Sequence, residues 1–517
     1  MIWFVYAPAF PILAGAIVRL VPAFLGERTH RIIAAAIMIL SAILVAYTPS
    51  SGWVLQARYH LLSDTPVYIQ LALDGLSMVT SLALLLSAAW AALVPRDSDS
   101  ALEFSDWGVL SATLFLLLAA NPLTLAITWT AFALVRVVVS RRETGETSSL
   151  AIASELASLT MLLAAIYPLG MDALSTPLFP MQPQGLQSWL VVVSSLLRMG
   201  LFPLQANEPS HSNLRVASAL TGLYLLLRTV QALPTLAIAA ALLGLGSALM
   251  AALSAARIRD TKQSWGWLLQ HVLFVGILAA ALGSESSLAG LGALVCVAWC
   301  ARITMGDGKQ PAGGWDLAGV AALGGIAPTL GWSAWTATFD ALKGLGSPWI
   351  MIATGLGFAV CAWTVGHNLR VLMATQPMWW RDLLRWQDVW RGLPALLLVA
   401  AGIWSSMLTY HGRGPAWEAA GSHASLLDEA GIWPIALGIA TLTGGSLALG
   451  WLRREGANKA PRVSHATSLQ IALRSTAQAL ERVRKGIVLI DCTLREHAVL
   501  AWTALAAAAL ALWLHGR

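Results

Sequence analysis

Charge is scarce in this chain. Asp, Glu, Lys and Arg make up 11% of its 517 residues, where a soluble globular domain carries about a quarter. That scarcity excludes a water-solvated fold of this length, and the mean hydropathy of +0.69 agrees. Cysteine is scarce too. Cys296 and Cys300 stand four apart on one apolar run, while Cys361 and Cys492 are isolated. No zinc or disulfide spacing results. Long polar stretches are also missing. The longest loops, about 49–68, 171–186 and 411–429, are too short for a soluble domain. Any soluble chemistry therefore belongs to another chain. The opening MIWFVYAPAFPILAGAIV has no basic region before it and no clear small-residue cleavage site. It is read as a retained first helix rather than a signal peptide.

Apolar runs of spanning length are what the chain has in abundance. They begin near residues 2, 31, 69, 107, 122, 149, 186, 213, 233, 264, 287, 315, 348, 391, 430 and 498. At roughly 20 residues per span this gives an all-α polytopic membrane protein with about 16 transmembrane helices. The loops test that count. With the N-terminus outside, the odd-numbered loops face the cytoplasm and hold the basic residues. These include Arg28 and Arg31, Arg96, Arg141 and Arg142, Arg257 with Arg259 and Lys262, and Lys309. Later ones hold Arg381, Arg385 and Arg391, and Arg453 with Arg454. The even-numbered loops hold little beyond Arg58, Lys343 and Arg413. This alternation follows the positive-inside rule. It accounts for the +6 net charge without nucleic acid as a partner. The reading is a multi-pass protein of a bacterial cytoplasmic (inner) membrane, in contact with lipid.

One segment departs from the pattern. Between Ser468 and Glu496, Leu469, Leu473, Leu480, Val483, Ile487, Ile490 and Leu494 form one helical stripe. Arg474, Glu481, Arg482, Arg484, Lys485 and Asp491 lie opposite. This is a lateral amphipathic helix, expected to lie along the membrane surface or against neighbouring helices before the last span. Of the 24 tryptophans, Trp379, Trp380, Trp386 and Trp390 cluster beside Arg381, Arg385 and Arg391. They read as an interfacial belt or as a docking surface for a partner.

Inside the apolar runs stand single ionisable residues: Arg19, Asp74, Arg136, Glu155, Arg198, Arg228, His271, Arg302, Asp340, His367 and Arg370. A charge at a helix centre costs roughly 2.5–3.5 kcal/mol on insertion scales, so it normally faces a protein interior or a wet path. Snorkelling at a helix end is the other reading for Arg19, Asp74, Arg136, Arg228, Arg302, Asp340 and Arg370. Glu155, Arg198 and His271 have apolar residues on both sides and fit it less well. His271 is either a titratable relay or a structural histidine bonded to a backbone carbonyl.

Several local patterns, taken in order, resemble one superfamily. Leu73-Asp74-Gly75-Leu76-Ser77 is similar to an LDGLS signature at the head of the third span. Trp129 stands where the family has a Trp-Glu pair. Arg198 with Phe202-Pro203-Leu204-Gln205 resembles the Lys-x-x-x-x-Pro-Leu of a broken seventh helix. Ser218-Ala219-Leu220 and Gly222-Leu223-Tyr224-Leu225 resemble the eighth, and Asp260-Thr261-Lys262-Gln263 the entry to the tenth. Pro328 matches a second break in the twelfth. The resemblance is to antiporter-like, proton-conducting membrane subunits: those of respiratory complex I, Mrp antiporters, membrane-bound hydrogenases and the DAB inorganic-carbon transporter.

That resemblance implies two inverted five-helix repeats, spans 4–8 and 9–13, with broken helices 7 and 12. The chain then divides into residues 1–106 (spans 1–3), 107–232 and 233–373 (the repeats), 374–460 (spans 14 and 15), and 461–517 (lateral helix and last span). It also exposes departures. The family pairs a fifth-helix Glu with a seventh-helix Lys, and this chain has Thr130 and Arg198 there. Ser218 and Thr221 stand in the eighth helix without a Lys or His. In the twelfth, the family's charged site falls near Ala337 or Thr338, with Asp340 beyond it. Guanidinium keeps its proton in proteins, so Arg198 is a fixed charge where Lys would be a carrier. A buried charge needs a partner, and Glu155 on the preceding helix is expected to supply it. The ion-pathway candidates are thus Glu155, Arg198, His271, Thr130, Ser218, Thr221, Lys262, Asp340 and His367.

Three functions follow as expectations. The first is an ion-coupling subunit, with the proton as its ion, that energises inorganic-carbon uptake by a large soluble or peripheral, carbonic-anhydrase-like partner. Any zinc would be on that partner, with no cofactor, metal or catalytic residue on this chain. The second is a pumping subunit of a redox complex. The third is a structural subunit that has lost the relay.

Overall fold

The apolar runs fold as helices, because a backbone in lipid must satisfy its own N–H and C=O groups. A computed structural model describes residues 6–20, 26–47, 54–59, 67–73, 75–93, 104–144, 149–169, 186–200, 213–230, 234–257, 261–282 and 314–325. It also describes positions 329, 331, 355, 365, 395–396 and 398–399. The helices in chain order are α1 (Ala9–Leu20), α2 (Gly26–Ala46), α3 (Gly75–Leu93), α4 (Phe104–Leu118), α5 (Pro122–Thr144), α6 (Ser149–Ile166), α7 (Leu186–Met199), α8 (Asn213–Val230), α9 (Pro234–Arg257) and α10 (Thr261–Leu282). A short helix follows at Gly314–Leu323. Helices α1 to α10 coincide in position with the first ten apolar runs. The amphipathic segment 468–496, the tryptophan cluster 379–390 and the last span lie outside the described residues.

Two corrections concern the start of the third run. Residues 69–72 are not its first helical turn: they belong to strand β2 (Val67–Ala72), which pairs antiparallel with β1 (Val54–Tyr59) in the register Val54 to Ala72 through Tyr59 to Val67. The 49–68 segment is accordingly not all loop, and the described residues are helical with one hairpin. Helix α3 begins only at Gly75. The hairpin is joined to the bundle by its backbone. Ala120 N–H donates to Gln70 O at 3.0 Å, and Gln70 N–H donates to Thr124 Oγ1 at 2.9 Å. Asn121 supports the same corner, its Oδ1 accepting from Thr124 N–H at 2.8 Å ahead of Pro122 in the first helical position. That is an N-cap followed by a proline that needs no N–H partner.

The bundle packs as α1 on α2 and α4, α2 on α3, α4 on α5, then α5, α6, α7 and α8 in succession. Helix α8 also meets α4 and α10, and α9 pairs with α10. Serine and tyrosine hydroxyls bond across these seams. Ser111 donates to Pro8 O at 2.6 Å, Ser41 to Ala7 O at 3.0 Å and Tyr224 to Leu117 O at 2.7 Å. Large apolar side chains point outward, among them Ile32, Ile43, Leu134, Leu156, Ile238 and Leu242. A soluble surface avoids such continuous apolar cover, and a lipid-facing one requires it. By length and apolarity, Thr29–Ala46 and Ile238–Ala255 are the two described segments able to cross a membrane unaided, and shorter apolar helices pack around them. Composition and surface together make this a multi-pass membrane protein.

Two helices end in the same way. Helix α7 stops at Gly200 (φ 69°), whose N–H donates to Leu197 O at 3.1 Å. The helix Gly314–Leu323 stops at Gly325 (φ 65°), whose N–H donates to Ala322 O at 3.1 Å. The left-handed conformation is one that glycine adopts without strain. Each stop stands three residues before a proline of the sequence, Pro203 and Pro328, themselves outside the described residues.

Gly222 sets how closely α8 approaches α7. A Cβ there would lie 2.6 Å from both Met199 Cγ and Ser195 O. Gly222→Val is expected to destabilise the bundle by about 1–3 kcal/mol through overpacking. Gly246→Ala, which would meet nothing within 4 Å, is the control. Thermal unfolding midpoints of the two variants in detergent check this: equal midpoints would remove the close-approach argument.

Candidate functional site

Helices α5, α6, α7 and α8 bring three charged side chains into one buried cluster. Glu155 on α6 is 2% exposed and Arg198 on α7 is 1% exposed. Each lies buried in an apolar helix, so each requires a partner within the bundle. They face each other, with Arg198 Nη2 3.6 Å from Glu155 Oε2. The second cation is Arg136 on α5, whose Nη1 is ion-paired with Glu155 Oε1 and also donates to Ser218 Oγ. One carboxylate thus serves two guanidinia.

The surroundings explain how Arg198 is held. Its guanidinium carbon lies 3.8 Å from the centroid of the Trp129 ring and 4.2 Å from that of Phe132. Aromatic faces attract a cation, by about 2 kcal/mol or more when desolvated. Nη2 also donates to Trp129 O at 3.3 Å. Arg198 sits in the last turn of α7, where its own carbonyl has no partner within the helix. Ser218 on α8 supplies one, donating to Arg198 O at 2.9 Å, and its oxygen also lies 3.4 Å from Glu155 Oε1. Trp129 is fixed in turn through Nε1–H to Ser158 Oγ at 3.2 Å. Ser158 and Ser194 complete the seam between α6 and α7, each hydroxyl donating to the other's carbonyl, at 2.8 and 2.7 Å.

The sequence candidates fall into three groups. Glu155, Arg198, Ser218 and Trp129 meet at the cluster. Thr130 does not join it among the described contacts: its hydroxyl donates to Ala126 O of its own helix at 2.7 Å. Thr221 bonds Ser218 O at 2.9 Å, one turn back on α8. His271 lies elsewhere, between α10 and α9, with Nδ1 2.7 Å from Ala248 O. A carbonyl only accepts, so Nδ1 carries the proton in that bond. Lys262 lies in the first turn of α10, its side chain outside the described residues. Asp74, Pro203, Asp260, Pro328, Asp340 and His367 are outside them altogether. Among the described residues no three His, Cys, Asp or Glu side chains gather as a metal site.

Arg136 is the member for which the sequence leaves two readings open, an interior charge or a snorkelling one, and it is not among the ion-pathway candidates named there. A signal was present. Trp129, Phe132 and Arg136 recur at i, i+3 and i+7, which is one face of a helix, and that face carries both rings that cover Arg198.

Comparison with solved structures gives the fold a context. A chain of the Mrp complex from Dietzia sp. DQ12-45-1b superposes with a TM-score of 0.72 and 17% identity, covering 98% of this chain and 63% of its own. A chain of respiratory complex I from Thermus thermophilus with bound NADH gives 0.64 and 19%, covering 82% of this chain and 100% of its own. A chain of the membrane-bound sulfane sulfur reductase (MBS), an archaeal respiratory membrane complex, gives 0.62 and 14%, covering 85% and 99%. No protein-family model and no curated protein sequence matches the chain. At these identities the likeness is one of fold alone. This chain spans about two thirds of the Mrp complex chain's length (63%).

The cluster makes its members' stabilities interdependent. Glu155→Gln removes the carboxylate that both guanidinia face and is expected to cost about 3–5 kcal/mol. Removing the inner cation as well, in Glu155→Gln/Arg198→Met, is expected to cost less than the sum of the single changes. A double-mutant cycle on unfolding midpoints in detergent measures the difference. Strict additivity would mean that the two side chains do not interact.

Proposed function

We propose that this chain is an ion-coupling membrane subunit of a multi-subunit complex, with the Arg136–Glu155–Arg198 cluster as its charge-handling element and the proton as its ion. The single observation that carries the reading is a buried carboxylate held between two guanidinia inside the antiporter-like fold. The solved neighbours belong to an Mrp complex, to respiratory complex I and to a respiratory membrane complex, which supports a role beside partner subunits.

The chemistry assigns different tasks to the three side chains. Neither guanidinium gives up its proton under physiological conditions. Glu155 is the member able to bind and release one. It can do so only as its cations shift, because a neutral carboxyl no longer offsets the charge of the guanidinia facing it. Proton occupancy of Glu155 is thereby tied to the placement of Arg136, which Ser218 can hold in Glu155's stead. The twin glycine stops before Pro203 and Pro328 fit two broken helices, one in each of the two inverted repeats proposed for spans 4–8 and 9–13. Such breaks give ions access to midplane sites. The remaining proposals are about 16 spans, an outside N-terminus, a bacterial inner membrane, and no catalysis or cofactor on this chain.

One observation favours a second reading. A permanent cation, Arg198, stands where the family's titratable Lys is expected, and that is how a structural subunit without a relay would look. The inorganic-carbon role is a narrower version of the first reading. It rests on the chain's shortness and divergence, and the solved neighbours lend it no support.

The test is to purify the native complex and measure proton-coupled activity in liposomes for wild type, Glu155→Gln and Glu155→Asp. At least a tenfold loss in assembled Glu155→Gln complexes, with partial retention in Glu155→Asp, is the expected result. Unchanged activity in assembled Gln complexes would leave the structural reading standing. The co-purifying chains identify the machine: a zinc protein points to carbon uptake, and flavin or iron–sulfur subunits point to a redox pump.

A further inference from the structure

Two complementary groups in the cluster stop just short of each other. Glu155 Oε2 is buried with no hydrogen-bond partner, and so are Arg198 Nε and Nη1. Arg198 Nη2 lies 3.6 Å from that oxygen, where a charge-assisted hydrogen bond closes to about 2.7–2.9 Å. An unsatisfied buried donor or acceptor is costly, more so on a charged group. A guanidinium and a carboxylate this near would relieve the cost by forming a two-bonded pair. Something holds them apart.

The restraint on Arg198 comes from α5. Its guanidinium carbon lies against the rings of Trp129 and Phe132, and Nη2 donates to Trp129 O. Neither ring is free to give way. Trp129 and Phe132 are both fully buried in the core, and Trp129 Nε1–H is tied to Ser158. The slot suits arginine better than lysine, whose ammonium has no plane to lay against the rings. Glu155 is restrained through its other oxygen. Oε1 takes the ion pair with Arg136 and lies 3.4 Å from Ser218 Oγ. Each group is engaged elsewhere, and the gap is what remains between them.

We propose that Trp129 and Phe132 are positioning residues. Their aromatic slot holds the Arg198 cation within reach of Glu155 but short of a hydrogen-bonded pair, which leaves Oε2 as the oxygen open to a proton. This rests on the reading of the cluster as the proton-handling element, and deepens it. Protonation forms one O–H bond at Oε2, from the translocated proton, and breaks no bond to Arg198, because none is made. With Arg198 fixed in its slot, the adjustment to a neutral Glu155 falls to Arg136.

The test uses the native complex. Phe132→Leu removes one wall of the slot and keeps an apolar side chain, while Phe132→Tyr keeps the ring. Proton-coupled activity in liposomes is expected to fall at least fivefold in assembled Phe132→Leu, with the larger part retained in Phe132→Tyr. Electron cryomicroscopy reads the cause. Arg198 is expected to close on Glu155 Oε2 to hydrogen-bond distance in Phe132→Leu and to stand off in the wild type. Undiminished activity in Phe132→Leu overturns the proposal, as does an equal loss in Phe132→Tyr. A fall in Phe132→Leu with the gap unchanged also overturns it. If Phe132→Leu does not assemble, the wild-type complex decides: a two-bonded Arg198–Glu155 pair there overturns the proposal. Coupling lost in Glu155→Gln but intact in Phe132→Leu defeats this inference alone. Coupling intact in Glu155→Gln defeats the coupling reading, and the two structures still decide whether the slot holds the pair apart.

Discussion

A buried and a part-buried guanidinium share one carboxylate, and the packing around that triad follows from the need to keep it satisfied. A bare charge in a helical bundle is unstable, so α6 and α7 must lie close enough for Glu155 to face Arg198. Arg198 in turn needs ring faces and a carbonyl, which α5 supplies through Trp129 and Phe132. Its helix-terminal carbonyl needs a donor, which α8 supplies through Ser218. Four helices are thereby oriented by a single polar requirement. In lipid, where apolar burial does little to choose between helix faces, such requirements carry much of the specificity.

The same economy appears at the helix ends. Stopping α7 at Gly200 frees carbonyls in the middle of an apolar bundle. The stop is placed so that the neighbouring helix can receive one of them. Gly222 allows this by letting α8 come close at the level of Ser195 and Met199. A left-handed glycine, a close-packed glycine and a serine hydroxyl act as one unit, and the charged cluster sits beside them.

How much of this the sequence discloses depends on how local each feature is. The helices α1 to α10 were legible because twenty-residue apolar runs leave the backbone no alternative in lipid. The meeting of Glu155 with Arg198 was legible because each is the central charge of its helix and the helices are consecutive. Arg136 was not, since a single arginine in an apolar run fits an interior charge and a snorkelling helix-end residue equally well. Thr130 was singled out by its place in a motif, yet its hydroxyl turns back on its own helix. The hairpin was illegible because Val67–Ala72 is too short for its alternation to stand apart from the apolar run that follows.

Ser158 has a consequence for how the site can move. Its hydroxyl joins three helices at once, accepting from Trp129 and donating toward Ser194. The segments bearing Glu155 and Arg198 are thus riveted together and to the stacking ring. What stays free to rearrange is far lighter than a helix. Ser218 owns a single hydroxyl hydrogen and has two acceptors in reach, Arg198 O and Glu155 Oε1. Turning that one bond redirects a dipole between the backbone and the carboxylate. In this bundle the smallest available motion is a torsional hop of one hydrogen atom, and the electrostatic balance of the whole cluster can respond to it without any helix leaving its place.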